Sequence, residues 1–440
     1  MGRVPAGRRG RASAPVRSAQ RRPGCAAGRA GAAVLGRGSA SPRSGDQPVS
    51  PALHLPDGAA HELAPPREWV KPSRPFTSRI AYAAAHVVPR VEGENVAGAP
   101  ADLDWESTLA IRRELWSWGL GVAEAMDTAQ RGMGLDWPAA QELIRRSAAV
   151  AAEVGGLIAA GAGTDQLDIA ALVASPETGL DTVIGAYREQ VTVVEDAGAK
   201  VIVMASRALA AVATTPQDYL DVYGAVLEEV QQPVILHWLG EMFDPALAGY
   251  WGSTDVNTAT GTFLELVAKY ADRIDGVKVS LLDADHERDL RSRLPEGVRL
   301  YTGDDFNYPE LICPDADRHH SDALLGVFAA IAPAASAALQ LLDEGDVDEA
   351  RRVLDSTRAL GRHIFATPTY NYKVGIAFLA WLNGLQPGFQ MVGGLASNRS
   401  VSHLTQLVVL ADRAGVLTDP DLAAERFNAW SHVTGVGRDV

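Results

Sequence analysis

The chain has 440 residues, 47% of them hydrophobic, and a formal charge of −14. That length can bury one large domain or two ordinary ones. The acidic balance argues against nucleic acid or an anionic membrane as partner. Two cysteines, Cys25 and Cys313, exclude a disulfide framework and a cysteine-based zinc site, and suit a reducing cytoplasm.

Residues 1–50 hold ten arginines, no lysine and one acid, Asp46. Rich in Gly, Ala, Ser and Pro, they lack the apolar content to offset ordering entropy, so disorder is expected. Neither Arg8-Arg9 nor Arg21-Arg22 precedes an apolar stretch of signal length, so export is not expected. No run approaches eighteen apolar residues, so no membrane span is expected. Residues 51–76 are Pro-rich and read as an irregular lead-in, which groups 1–76 as arm and lead-in.

From Ser78 the pattern is regular. A first strand spans about 79–88. Asp104 N-caps a helix to about Trp118. A second strand covers 119–126, and Asp136-Trp137-Pro138 opens the next helix with proline in its first turn. A third strand at 156–160 ends in Gly161-Ala162-Gly163-Thr164, and a helix over about 176–197 follows. The fourth strand is 200–204, with a helix from Pro216 to about Val230. The fifth, 233–237, leads through a long loop, 238–254, to a helix over 256–272. The sixth is Asp275 to Ser280, the seventh 297–301, and a weak eighth 321–327. Helical patterns follow at 328–343, 347–360, 362–384, 400–414 and 419–433.

Eight strands alternating with helices predict an α/β fold, a (β/α)8 TIM barrel over 77–345, with a C-terminal helical extension over 346–440 packed on it. An open doubly wound sheet is the runner-up, but no Gly-x-Gly-x-x-Gly turn or P-loop supports it. Function in a barrel sits at the carboxyl ends of the strands. There the sequence collects His86, Thr128, Thr164, Ser206, His237, Lys278 with Ser280, and Asp304-Asp305.

Lys278 is the most informative of these. It stands between two valines in an apolar strand. Burying an ammonium is costly, and a depressed pKa is the usual relief. A neutral, desolvated amine attacks carbonyl carbons to form a Schiff base. The bland alternative is a lysine that snorkels its head to the sheet rim.

Three motifs, in order on successive strand ends, resemble the dihydrodipicolinate synthase / N-acetylneuraminate lyase superfamily of class I aldolases. They are the turn Ala160 to Thr164, the strand Gly276-Val277-Lys278, and Gly303-Asp304-Asp305. The resemblance runs from about Ser78 to about Phe389. More closely, Ala125 to Leu135 and Leu236 to Pro245 resemble a divergent actinobacterial branch of that superfamily. The resemblance implies a lyase that makes or breaks a C–C bond next to a ketone, with Lys278 forming the Schiff base and no organic cofactor or metal. It also implies a small-molecule carbonyl substrate, a cytoplasmic location and a homo-oligomer, dimer or tetramer. The family's Gly-Thr-Thr-Gly-Glu loop, which holds a keto acid's carboxylate, is here Asp127-Thr128-Ala129-Gln130-Arg131, so pyruvate is not carried over. A sugar-derived or weakly charged ketone fits that change. His237 stands where the family has its proton-shuttling tyrosine, and a histidine can do that work near neutral pH.

Lys278 and His237 are thus the catalytic candidates, with Tyr82 next in line. Thr128, Ala129, Gly163, Thr164, Ser206, Ser280 and Asp304 are the candidate substrate contacts. Asp304 and Asp305 also suit loop-holding roles, and Trp238, Glu241 and Asp244 could select the substrate. Lys373, at the start of a late helix, reads as solvated. Two other functions are carried. In one, His86, Glu124, His237 and Asp304 hold a metal, as in a sugar isomerase or class II aldolase. In the other, the barrel is a non-catalytic keto-acid sensor.

Overall fold

The computed structural model describes residues 51–126 and 130–436. Eight of the described strands close into a barrel: β1 (Ala81–Ala84), β2 (Gly121–Glu124), β3 (Ile158–Ala162), β4 (Lys200–Val203), β5 (Val234–Leu239), β6 (Ile274–Ser280), β7 (Arg299–Thr302) and β8 (Asp322–Leu325). Every neighbouring pair is parallel, and β8 returns to pair with β1, which closes the (β/α)8 TIM barrel. These strands are buried on both faces, which is why they read as apolar runs rather than as alternation.

Side chains alternate between the two faces. Tyr82, Ala84, Ala123, Ala159, Ile202, Ile235, Tyr301 and Leu324 form a cluster of their own inside the barrel. Small residues on β1 to β3 are matched by the two tyrosines, so the interior is filled rather than hollow. Tyr82 and Tyr301 lie 6.2 Å apart, and the Tyr301 hydroxyl donates to Asp275 at 2.7 Å. The residues between them face the outer helices. Trp238, for example, packs against Trp251, Phe263 and His286.

One outward pair fixes the first helix to the barrel wall. Arg112, on helix Trp105–Ser117, donates from Nε and Nη2 to the two oxygens of Glu124 at 2.8 and 2.7 Å. Neither side chain is exposed. The remaining Arg112 donors go to the carbonyls of Thr108, at 3.0 Å, and His86.

The elements after β8 are Ala332–Glu344, Val347–Ile364, Tyr372–Leu382, Val401–Arg413 and Pro420–Val433. The single helix expected over 362–384 is broken between Phe365 and Asn371. Pro368 has no N–H to give and disfavours helix at Thr367 before it. The lead-in also differs from expectation. Ala52–His54 and Ala60–Glu62 form a small antiparallel hairpin, tied to the last helices by Asn428 and Asp412. The side chains of Asn428 and Asp412 satisfy backbone groups of 52, 54 and 64, so a Pro-rich stretch gains order from tertiary partners. Residues 1–50 lie outside the described residues. No helix of the described residues is long and apolar enough to cross a membrane.

Breaking a buried ion pair from one side strands the other charge. Arg112→Met should lower the unfolding free energy by about 3–5 kcal/mol, read from urea midpoints. The double variant Arg112→Met/Glu124→Leu should recover most of that loss. A single-variant effect below about 1 kcal/mol, the range of surface pairs, would show that this pair does not anchor the helix.

Candidate active site at the carboxyl end of the barrel

Lys278 lies near the carboxyl end of β6, paired in register with His237 on β5 and Tyr301 on β7. It is 8% exposed. Gly276, Lys278 and Ser280 share one face of the strand, because side chains alternate. That face is the barrel interior. A Cβ at Gly276 would meet the interior Tyr301 ring at 2.6 Å, and one at Gly303 would meet Ser280 Oγ at 2.2 Å and Lys278 Cε at 3.0 Å. Gly303, just past β7, therefore leaves the room in which both side chains sit. His237 is two residues from the interior Ile235, and its Nε2 lies 3.2 Å from Ser280 Oγ. Lysine, histidine and serine thus meet on adjacent strands. Tyr82 is an interior packing residue against Tyr301, and burial pushes its phenol up to about 12.

A second lysine reaches the same end of the barrel. Lys373 opens helix Tyr372–Leu382 and is 2% exposed, so its expected place in solvent is overturned. Its Nζ donates to the Ala84 carbonyl at the end of β1. Burial lowers its pKa to about 7, against the attraction of Asp305, with Arg112 and Lys278 as like-charged neighbours. Asp305 is buried too. Its carboxyl is raised by burial, opposed by a 2.7 Å bond from Val327 N–H and by both lysines. Asp304 accepts from the N–H groups of Phe306 and Asn307 and from Asn307 Nδ2, so it spends both oxygens on the turn.

A cavity of about 310 Å³ opens over β3 to β5 on this face, lined by Gly163, Thr164, Met204 and Leu239 among others. An adjoining one of about 300 Å³ shares Arg131, Arg207, Leu239 and Asp244 with it and adds Tyr370. Thr164 and Ser206 bond to one another at 2.6 Å, and Ser206 also caps the Leu209 N–H. Gly163 donates its N–H to Gln190, and a Cβ there would press on Met204. Burial opposes it, but Arg131 and Gln190 hold the Asp165 carboxyl below its ordinary range.

The metal-binding arrangement is not formed. Glu124 faces away from the interior into Arg112, and His86 Nε2 is bonded to Gln386 Oε1 at 2.7 Å. Burial drives His86 down to about 3. Among the described residues, no three His, Cys, Asp or Glu side chains are grouped to hold a metal ion. Thr128 and Ala129 lie outside the described residues. Of the loop-five candidates, Asp244 lines the cleft, Trp238 faces the outer helices and Glu241 is exposed. Sequence reasoning missed Lys373, Arg131 and Arg207. For Lys373 a signal existed: Val374 to Leu382 is apolar all round, as only a buried helix is.

The comparisons with known proteins bear on the fold. A family model described as "Protein of unknown function (DUF993)" matches residues 53–436. No curated protein matches the chain. Among solved structures, a dihydrodipicolinate synthase from Cyanidioschyzon merolae with lysine bound is similar at a TM-score of 0.58 and 17% identity, over 77% of this chain and 99% of that one. The dihydrodipicolinate synthase from Thermotoga maritima is similar at 0.56 and 16%, over 78% and 100%. The 4-hydroxy-tetrahydrodipicolinate synthase from Methylacidiphilum fumariolicum gives 0.55 and 15%, over 79% and 99%. The chain therefore belongs to the DUF993 family, built on the barrel that these synthases share.

Proposed function

We propose that this protein is a class I aldolase-type lyase in which Lys278 forms a Schiff base with a ketone of a small keto acid or sugar-derived substrate. One observation carries the reading. The interior lysine of the sixth strand lies beside a histidine and a serine at the end of the barrel where such folds do their chemistry. The likeness to dihydrodipicolinate synthases supports it at the level of fold.

In this reading the neutral Lys278 amine adds to the carbonyl carbon, and the carbinolamine loses water to give a protonated imine. The protonated imine accepts the electron pair released when the adjacent C–C bond breaks and becomes an enamine, which takes up a proton to return to the imine; in the forming direction the imine first loses an α-proton, and the resulting enamine supplies the pair. His237 carries the proton to or from the departing or arriving oxygen, relayed or held in orientation by Ser280 Oγ. Hydrolysis returns the amine. Lys373 is a buried amine within electrostatic reach of Lys278, and where it carries a proton it disfavours a charged nucleophile, while Asp305 moderates both lysines. A cytoplasmic homo-oligomer, dimer or tetramer, belongs to the same proposal, and the buried free thiol of Cys313 suits that compartment.

Borohydride added with a reactive ketone should reduce the imine and place a stoichiometric adduct on Lys278 by peptide mapping. Lys278→Met and Lys278→Arg should both show no trapping and no turnover, since neither side chain offers a neutral amine. An adduct on Lys373 or Lys200 instead would sink the assignment.

His237→Phe should still trap ketone but turn over ~10²–10⁴-fold more slowly, the usual contribution of a positioned proton carrier. Wild-type turnover in this variant would remove His237 from the mechanism.

Lys373 gives a pH test. Its native pKa is about 7 against 10.5 in solution. Between those values the unfolded chain holds a proton that the native protein does not, so stability rises with pH there. The cost of the buried charge is present in full below about pH 7 and fades as pH approaches 10.5. Melting temperatures from pH 6 to 10 should show wild type gaining stability that Lys373→Met does not gain. Parallel curves would mean that the ammonium titrates as if in water.

A further inference from the structure

The two arginines that line the cleft differ in what they have left to give. Arg131 has spent its donors on the protein. Nε and Nη2 donate to Asp165 at 3.0 and 2.8 Å, Nη2 also to Gln190, and Nη1 to the carbonyls of Gly161 and Ala125 at 2.7 and 3.2 Å. Among the described residues, Arg207 spends one, its Nε, on Asp244. Its side chain is 48% exposed and it lines both adjoining cavities. Nη1 lies toward Gly132, 3.6 Å from where a Cβ there would stand, so only glycine backbone flanks it on that side.

Asp244 is held in its turn. Its second oxygen accepts the Ala246 N–H at 3.1 Å, and its side chain is largely buried. It grips the guanidinium by the inner nitrogen and leaves the two outer nitrogens, with four N–H groups, toward the cleft. A planar fork steered from behind is the geometry that receives an oxyanion with two parallel bonds. Among the described residues, nothing else in the cleft competes for that role. Asp165 is neutralised by Arg131, Asp244 by the Arg207 Nε, and the Thr164 and Ser206 hydroxyls bond to each other.

We propose that Arg207, steered by Asp244, is the receptor for an oxyanion, a carboxylate or a phosphate, carried by the ligand of this cleft. That the oxyanion sits at the end of the substrate remote from the reacting carbonyl rests on the aldolase reading; the anion site rests on the cleft alone.

Calorimetric titration of the full-length protein tests it, with 2-oxoglutarate and dihydroxyacetone phosphate as the two anions and dihydroxyacetone as the uncharged reference. At least one anion should bind more tightly than dihydroxyacetone, and the preferred one identifies the source as a keto dicarboxylate or a sugar phosphate. Arg207→Gln should weaken that binding ~10–100-fold. Arg207→Lys should recover part of it, because an ammonium keeps the charge but not the fork. Asp244→Asn should fall between wild type and Arg207→Gln. Melting temperatures establish that each variant is folded, and Arg207→Lys carries the test should Arg207→Gln not fold. Equal binding of the preferred anion to wild type and Arg207→Gln overturns the proposal, and so does the failure of both anions to bind more tightly than dihydroxyacetone. Lys278→Met separates the two readings: it should trap nothing, yet whatever anion binding it keeps should fall ~10–100-fold on adding Arg207→Gln. Arg207-dependent binding with no trapping in wild type would end the aldolase reading and leave the anion site standing.

Discussion

The desolvation of charge at one end of the barrel is the constraint on which the rest depends. Lys278, Lys373 and Asp305 are all buried there, with the Arg112–Glu124 pair behind β1 and β2. Each charge taken from water costs several kcal/mol unless it is paired or neutralised. The structure answers in two ways. Arg112 and Glu124 are matched donor for acceptor. Lys373 and Asp305 are instead both shifted toward their neutral forms, with burial the leading cause in each. The first solution builds a wall, and the second leaves groups able to exchange protons near neutral pH.

A parallel barrel makes this arrangement affordable. Its walls are dry on both faces, and its strand ends bring side chains from distant parts of the sequence to one rim. His237, Lys278 and Gly303 are far apart in the chain yet adjacent through register. The lack of a side chain at Gly303 counts as much as the presence of one at Lys278. Any larger residue would push on Ser280 Oγ and on the lysine's own carbons. Rigidity here follows from packing, since Tyr82 and Tyr301 fill the barrel below the site.

Much of this was legible in the sequence, and the reasons for the remainder are physical. Alternating apolar runs and helical spacing gave all eight strands, because a buried parallel strand has a plain signature. The motifs placed Lys278 and His237 at strand ends. What stayed hidden depends on long-range partners. The 52–62 hairpin is ordered by Asn428 and Asp412, more than three hundred residues away. Helix Ala284–Arg293 is almost wholly polar in sequence, yet it buries Glu287, which takes hydrogen bonds from Thr302 and Ser321 and is pushed up to about 8 by burial. Glu124 looked like a metal ligand because strand position cannot tell which face a carboxylate takes; its partner, Arg112, decides that.

The tail belongs to the site as much as to the scaffold. Phe243, in the loop after β5, packs edge-on against Phe365 and Tyr372, and Tyr370 closes one wall of the outer cavity. One residue past Tyr372, Lys373 bonds the end of β1. A single short segment therefore lines the outer cavity and brings a buried lysine within electrostatic reach of the candidate nucleophile. Such a segment cannot shift without changing the field at Lys278, because the interaction of two buried charges is screened far less than at a surface. It follows that exchanging this tail for one of another length would alter reactivity even with every barrel residue kept.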